Sequence, residues 1–146
     1  MELSQSIKSK IKAWEGCRLT AYRCPAGVLT IGYGHTGPDV TLGKRITQAE
    51  ADALFEADIK KFADDVAAKL RGARINNNQF DALVSLAYNI GIGAFQKSTL
   101  FNKVMAAPTD PTIRAEFAKW VRGGGKVLPG LVKRRTAEAN HYFGQI

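Results

Sequence analysis

Glu15, Cys24 and Thr30 are the residues whose types and spacing could do chemistry in this chain. Glu15 stands where a helical pattern stops, Cys24 lies nine residues on at a Pro-Ala-Gly turn, and Thr30 follows six residues later at the start of a strand-like run. A carboxylic acid can give a proton, and a thiol and a hydroxyl can hold a water between them. Around one small space, these three groups would hydrolyse a polar bond. A Glu near a helix C-terminus meets the negative end of the helix dipole, which disfavours its ionised form. A carboxyl raised toward about 6 would serve as an acid near neutral pH. A free cysteine has a pKa near ~8.5, so Cys24 is a neutral thiol unless a cation lowers it. Arg18 and Arg23 are close enough in sequence to do so. Thr30 taken alone is ordinary β-propensity.

The elements that must position these groups follow from periodicity. Leu3, Ile7, Ile11 and Trp14 recur at helical spacing and predict an amphipathic helix over 3–14, stopped by Gly16. Residues 18–35 change character: Leu19, Ala21 and Tyr22 form one short run, Val28 to Tyr33 another, with Pro25-Ala26-Gly27 between them. This reads as a β-hairpin, with a third strand expected around Val40 to Leu42. Thr47-Gln48-Ala49-Glu50 is a capping box, and the apolar stripe behind it predicts a helix from about 48 to 70. The most apolar stretch, Gln79 to Asn89, reads as a buried central helix ended by Gly91 and Gly93. Further helices are expected from Ser98 or Thr99 to about Met105, from Asp110-Pro111 through Trp120, and from about Leu131 to Phe143, with Gly123-Gly124-Gly125 as a flexible link. The fold class expected is α+β in a single domain. A small hairpin lobe over about 16–46 is joined by the 48–70 helix to a helical lobe over about 76–146, which also takes the first helix. A cleft between such lobes is a common place for a polymer substrate.

The 146 residues suffice for one domain with a core and no disulfide staples. Charge is +8, from 21 Lys and Arg against 13 Asp and Glu, and from Lys119 to Arg135 there are six basic residues and no acidic one. Such a balance favours a polyanionic partner: nucleic acid, anionic membrane or acidic wall polymer. Nucleic acid is set aside, because no recognised motif and no basic stripe interleaved with exposed aromatics is present. The N-terminus lacks the apolar core of a secretion signal, and no segment approaches the ~20 apolar residues of a membrane span. A cytoplasmic protein without stable membrane insertion is expected. The two cysteines, Cys17 and Cys24, fit a reducing compartment and are too few for a zinc site. Cys17 reads as buried and passive. A silencing Cys17–Cys24 disulfide in an oxidising periplasm is the sharper option.

The stretch from Glu15 to Thr36 resembles the phage-type lysozymes, the endolysins of glycoside hydrolase family 24. The matching pieces are Glu15-Gly16, Arg18-Leu19, Ala21-Tyr22, Gly27, Thr30-Ile31-Gly32 and Gly34-His35-Thr36. The likeness continues through Ile46-Thr47 with Glu50-Ala51, Phe80-Asp81-Ala82-Leu83, Tyr88-Asn89-Ile90-Gly91, Trp120, Gly130-Leu131 and Arg134-Arg135.

This resemblance implies a lysozyme-like fold and a muramidase that cleaves the β-1,4 bond between N-acetylmuramic acid and N-acetylglucosamine in bacterial peptidoglycan. The family's catalytic Glu, Asp or Cys, and Thr fall on Glu15, Cys24 and Thr30. Cys24 replaces the more familiar carboxylate, so its role stays open: it positions a water with Thr30, acts as a base, or attacks as a nucleophile. Inversion at the anomeric carbon is what the family implies. By position in the matched motifs, Tyr33, Tyr88, Asn89 and Ser98 are candidates for sugar binding, with core packing as their ordinary alternative. His35 is expected to pair with Asp58 on the long helix, and one of Arg134 and Arg135 to orient Glu15. No metal or organic cofactor is implied. A monomeric endolysin without an export signal would wait in the host cytoplasm and reach the wall through a hole made by another membrane protein. A wall-binding module that has lost catalysis is the alternative, with Cys24 as its best support.

Overall fold

A computed structural model describes residues 1–145. The fold is α+β, with seven helices and two two-stranded antiparallel sheets among the described residues. Contacts divide it into two compact units: residues 8–61, and residues 1–7 together with those from 62 onward.

The 8–61 unit opens with most of α1 (Gln5–Glu15). Ser4 caps this helix, its Oγ accepting from the Ile7 N–H at 3.1 Å, and Ile11 is fully buried. Gly16 ends it at φ 70°, donating its N–H to the Lys12 carbonyl. β1 (Arg18–Arg23) then pairs antiparallel with β2 (Leu29–Gly32), with an irregularity between Arg18 and Tyr22. The third strand expected around Val40 to Leu42 is not there. Turns closed by Val40 N–H to Gly37 O and Lys44 N–H to Thr41 O occupy that stretch, and Val40 is buried in the core instead. Pairing resumes later: Thr20 bridges Arg45, with bonds from Ala21 N–H to Lys44 O and from Ile46 N–H to Leu19 O. Ile31, Val40, Ile46 and Ala51 form this unit's small core. Thr47 and Glu50 exchange the two bonds of a capping box at the start of α2 (Gln48–Lys69).

The other unit is helical. An Asn76/Gln79 capping box starts α3 (Asn77–Ile90), in which every residue from Gln79 to Ala87 is buried. It packs on α4 (Ile92–Lys97) and on α7 (Pro129–Tyr142). Sequence reading placed only a glycine stop where α4 stands; Gly91, at φ 94°, ends α3 and also opens α4. α5 (Thr99–Ala106) follows, then α6, which is confined to Ile113–Phe117 and is shorter than the 111–120 span expected. The supposed flexible link of three glycines is a hairpin, β3 (Arg122–Gly123) with β4 (Lys126–Val127), turning at Gly124 and Gly125 with φ of 58° and 80°. α7 begins two residues earlier than Leu131, with Pro129 in its first turn. No helix among the described residues is long and apolar enough to cross a membrane.

Candidate active site

The turn between β1 and β2 builds the surroundings of Cys24. The Cys24 N–H donates to Val28 O at 2.9 Å and the Gly27 N–H donates to Cys24 O at 2.8 Å, while Gly27 takes φ 81°. That closure lets backbone N–H groups face the sulfur. The Val28 backbone bond is the main cause holding the Cys24 thiol below its ordinary pKa, followed by that of Ala26, with a smaller contribution from the Thr30 hydroxyl. The arginines suggested by sequence are engaged elsewhere. The Arg18 guanidinium lies 4.5 Å from the Tyr22 ring centroid, and Arg23 Nη1 donates to Gly27 O at 3.0 Å. A thiolate beside a tight turn is stabilised by the nearest oriented N–H dipoles.

Thr30 lies on β2 opposite Tyr22 and is buried at 4 % exposure. Its Oγ1 is 3.0 Å from the Val28 carbonyl, to which it donates. Cys24 and Thr30 are thus brought together at the closed end of the hairpin. Glu15 ends α1 and is half-buried. Three residues beyond it, Arg18 pairs with Gly32, so Thr30 stands two residues, about 7 Å, further along β2.

His35 joins this hairpin to α2. Its backbone exchanges two bonds with Ile31, at 2.8 and 2.9 Å. Its Nδ1 is 2.7 Å from Asp58 Oδ2 and its Nε2 is 2.9 Å from Asp39 Oδ2. Burial is the largest single influence on this imidazole and pushes its pKa down. Hydrogen bonds to Asp58 and Asp39, with their charges, outweigh it, and the net direction is up. Asp39 is held below the usual carboxylate range by the His35 bond. Sequence reading missed Asp39; its spacing of four residues from His35 was the available signal.

Tyr33 accepts from Gln48 Nε2 at 3.1 Å, and its ring meets Phe55 edge-on and Lys12 Nζ at 5.2 Å. Tyr88 packs edge-on against Phe62, with centroids 5.1 Å apart. The Ser98 hydroxyl caps α5, accepting from Phe101 N–H at 3.0 Å and donating to Phe95 O at 2.6 Å. Arg134 and Arg135 are buried around Glu138, which is fully buried. Arg135 Nη1 is 2.5 Å from Glu138 Oε1, its Nε donates to Trp120 O at 2.8 Å, and its Nη2 donates to Asn89 Oδ1. Arg134 Nε meets Glu138 Oε2 at 3.2 Å, and Ser85 Oγ donates to that same oxygen. Glu138 and Ser85 carried no motif in the sequence reading, although Glu138 falls four and three residues after the paired arginines. Cys17 is exposed, which corrects the expectation of burial, and both cysteines are free thiols.

The α+β fold is lysozyme-like. Residues 12–138 match the phage lysozyme family model, and the chain belongs to that family. It is 42% identical over 140 residues to an endolysin of Bacillus phage PZA, an alignment covering 94% of this chain and 54% of that protein. The chain therefore spans about half the length of that curated relative and, at 52%, of its Bacillus phage B103 counterpart. Among solved structures, an endolysin from Escherichia coli O157:H7 phage FAHEc1 superposes with a TM-score of 0.85 at 37% identity, covering 100% of this chain and 96% of that one. The muramidase domain of SpmX from Asticaccaulis excentricus superposes at 0.84 with 34% identity, covering 97% of each chain.

Proposed function

We propose that this chain is an endolysin muramidase hydrolysing the β-1,4 bond between N-acetylmuramic acid and N-acetylglucosamine in bacterial peptidoglycan. The observation that carries this reading is the family match over residues 12–138, which encloses Glu15, Cys24 and Thr30. Glu15 protonates the leaving oxygen. Cys24 and Thr30 hold the attacking water on the opposite face of the sugar, and the thiolate takes its proton, so the product is inverted. A thiol already drawn toward its ionised form supports Cys24 in that role. Tyr33, Tyr88, Asn89 and Ser98 bind the glycan, while His35, Asp58, Arg134 and Arg135 hold the framework. The protein acts as a monomer in one catalytic domain, needs no cofactor, and passes from the host cytoplasm through a hole made by a separate membrane protein.

Clearing of outer-membrane-permeabilised bacteria tests the reading. Wild-type protein should clear the suspension, and Glu15→Gln should slow clearing by about 100-fold or more. Digested peptidoglycan should carry new reducing ends on muramic acid. Released peptides, anhydro-sugars, or unchanged clearing by Glu15→Gln would refute it.

A further inference from the structure

Arg135 is 1 % exposed, and its guanidinium is held on three sides. Nη1 donates to Glu138 Oε1 at 2.5 Å, Nε to the Trp120 carbonyl at 2.8 Å, and Nη2 to Asn89 Oδ1. Glu138 is fixed in turn, because its other oxygen accepts from Arg134 Nε at 3.2 Å and from Ser85 Oγ. Ser85 and Asn89 lie four residues apart, on one face of α3, and Arg134, Arg135 and Glu138 lie on α7, which packs against it. The network reaches the surface at Asn89. This residue is exposed, and its amide nitrogen makes no bond within the described residues.

An asparagine amide offers an acceptor at one end and two donors at the other. A guanidinium has only donors, so Arg135 admits the oxygen of Asn89 and turns the NH2 group outward. Its charge also polarises the amide and strengthens the outward donors. A hydroxyl group can rotate to suit either end of an amide. A carbonyl cannot, so a carbonyl is what a fixed pair of donors selects. We propose that Arg135, anchored by Glu138, is a positioning residue for substrate selection: it fixes Asn89 as a hydrogen-bond donor, and that donor reads an acetamido carbonyl of the glycan. The proposal rests on the reading of the chain as a muramidase with Asn89 at the sugars. It adds a requirement to that reading, that the sugar meeting Asn89 be N-acetylated. A de-N-acetylated sugar would set an ammonium, itself a donor, against the donors of Asn89.

Binding of sonicated peptidoglycan, before and after enzymatic de-N-acetylation, tests this. A Glu15→Gln background keeps the probe intact during the titration. With Asn89 in place, the N-acetylated glycan should bind about tenfold more tightly than the de-N-acetylated one. Asn89→Asp keeps the bond from Arg135 and presents only acceptors, so it should bind the de-N-acetylated glycan the more tightly. Asn89 is exposed, so this variant should melt as the parent does. Arg135→Lys keeps the charge beside Glu138 but lacks the fork that reaches Asn89. If circular dichroism shows it folded, its preference should shrink to about twofold. In the active background that loss should fall on KM rather than kcat. If it unfolds, NMR relaxation of the Asn89 side-chain amide in the parent takes its place, and an amide as rigid as the α3 backbone is expected. Equal binding of both glycans by the parent, a parental preference in Asn89→Asp or in folded Arg135→Lys, or a freely turning Asn89 amide would overturn the proposal. Clearing of bacteria by wild-type protein is scored separately. If it persists beside those results, only the selection by Asn89 fails; if clearing and glycan binding are both absent, the hydrolytic reading falls with it.

Discussion

Thr30 has one hydroxyl proton and two acceptors for it. It can donate to the Val28 carbonyl at 3.0 Å or to the Cys24 sulfur, which feels it as a stabiliser of the thiolate. A neutral thiol leaves the proton with the carbonyl, and an ionised one draws it over. Thr30→Val keeps the shape and removes the proton, so the Cys24 pKa should rise. Ultraviolet titration of thiolate absorbance, with Cys17 changed to Ser, would measure this. A pKa that stays put or falls would show that the hydroxyl does not serve the sulfur. The type and spacing of Cys24 and Thr30 were legible in the sequence, but the source of the thiol's lowered pKa was not. The sequence displays Arg18 and Arg23, whose charges are conspicuous. It does not display the N–H directions of Ala26 and Val28, which exist only once Gly27 closes the turn.

Well-placed polar contacts hold elements of this protein to one another, and His35 makes two of them. It ties the end of the β1–β2 hairpin to Asp58 on α2 and to Asp39 in the following loop. Its folded pKa lies above its ordinary value, so its stabilisation is complete below about 6.5 and fades as pH rises through the folded value. His35→Asn should therefore cost more stability at about pH 5 than at about pH 9, read from urea melts. An equal loss at both would mean the charge does not matter. The β3–β4 turn makes a different demand. Gly125 sits at φ 80° with open space where a Cβ would go, so Gly125→Ala strains only the backbone. A loss of about 1 kcal/mol in the same melts is expected, and no loss would mean that the turn relaxes freely. The long amphipathic helices were legible because burial imposes a 3.6-residue period on them. The two hairpin errors share one cause. A strand is expected at Val40, whose β-branched side chain suits one, yet a turn delivers it to the core. The glycines at 123–125 read as a flexible link, yet two of them supply the positive φ the turn requires. Propensity reports what a residue tolerates; pairing partners decide where it goes.

At the scale of the whole chain, the helical unit is discontinuous: residues 1–7 belong with those from 62 onward, and residues 8–61 intervene. Residues near both chain ends therefore have to be fastened to its middle, and Asp81 does it. This carboxylate is 1 % exposed, at the buried heart of α3. It accepts from Ser4 N–H at 3.1 Å and Ser4 Oγ at 2.6 Å, and it meets His141 Nε2 on α7 at 2.9 Å. Ser4 in turn caps α1, so one side chain fixes where the first helix starts and where the last one lies. The sequence matched Asp81 to a family motif without revealing these partners, because they stand 77 and 60 residues away. Removing a buried acceptor strands its donors at nearly their full desolvation cost, whereas a lost surface bond is replaced by water. Asp81→Ala should thus cost about 3 kcal/mol or more in equilibrium unfolding. It should also raise amide exchange at Ile7, the residue whose N–H relies on the Ser4 hydroxyl. Deleting residues 1–4 separates the two attachments. It removes the Ser4 bonds and leaves His141, so it should destabilise by less than Asp81→Ala. If the truncated protein were as unstable as Asp81→Ala, the N-terminal attachment alone would account for the cost, and Asp81 would not be the common anchor of both ends.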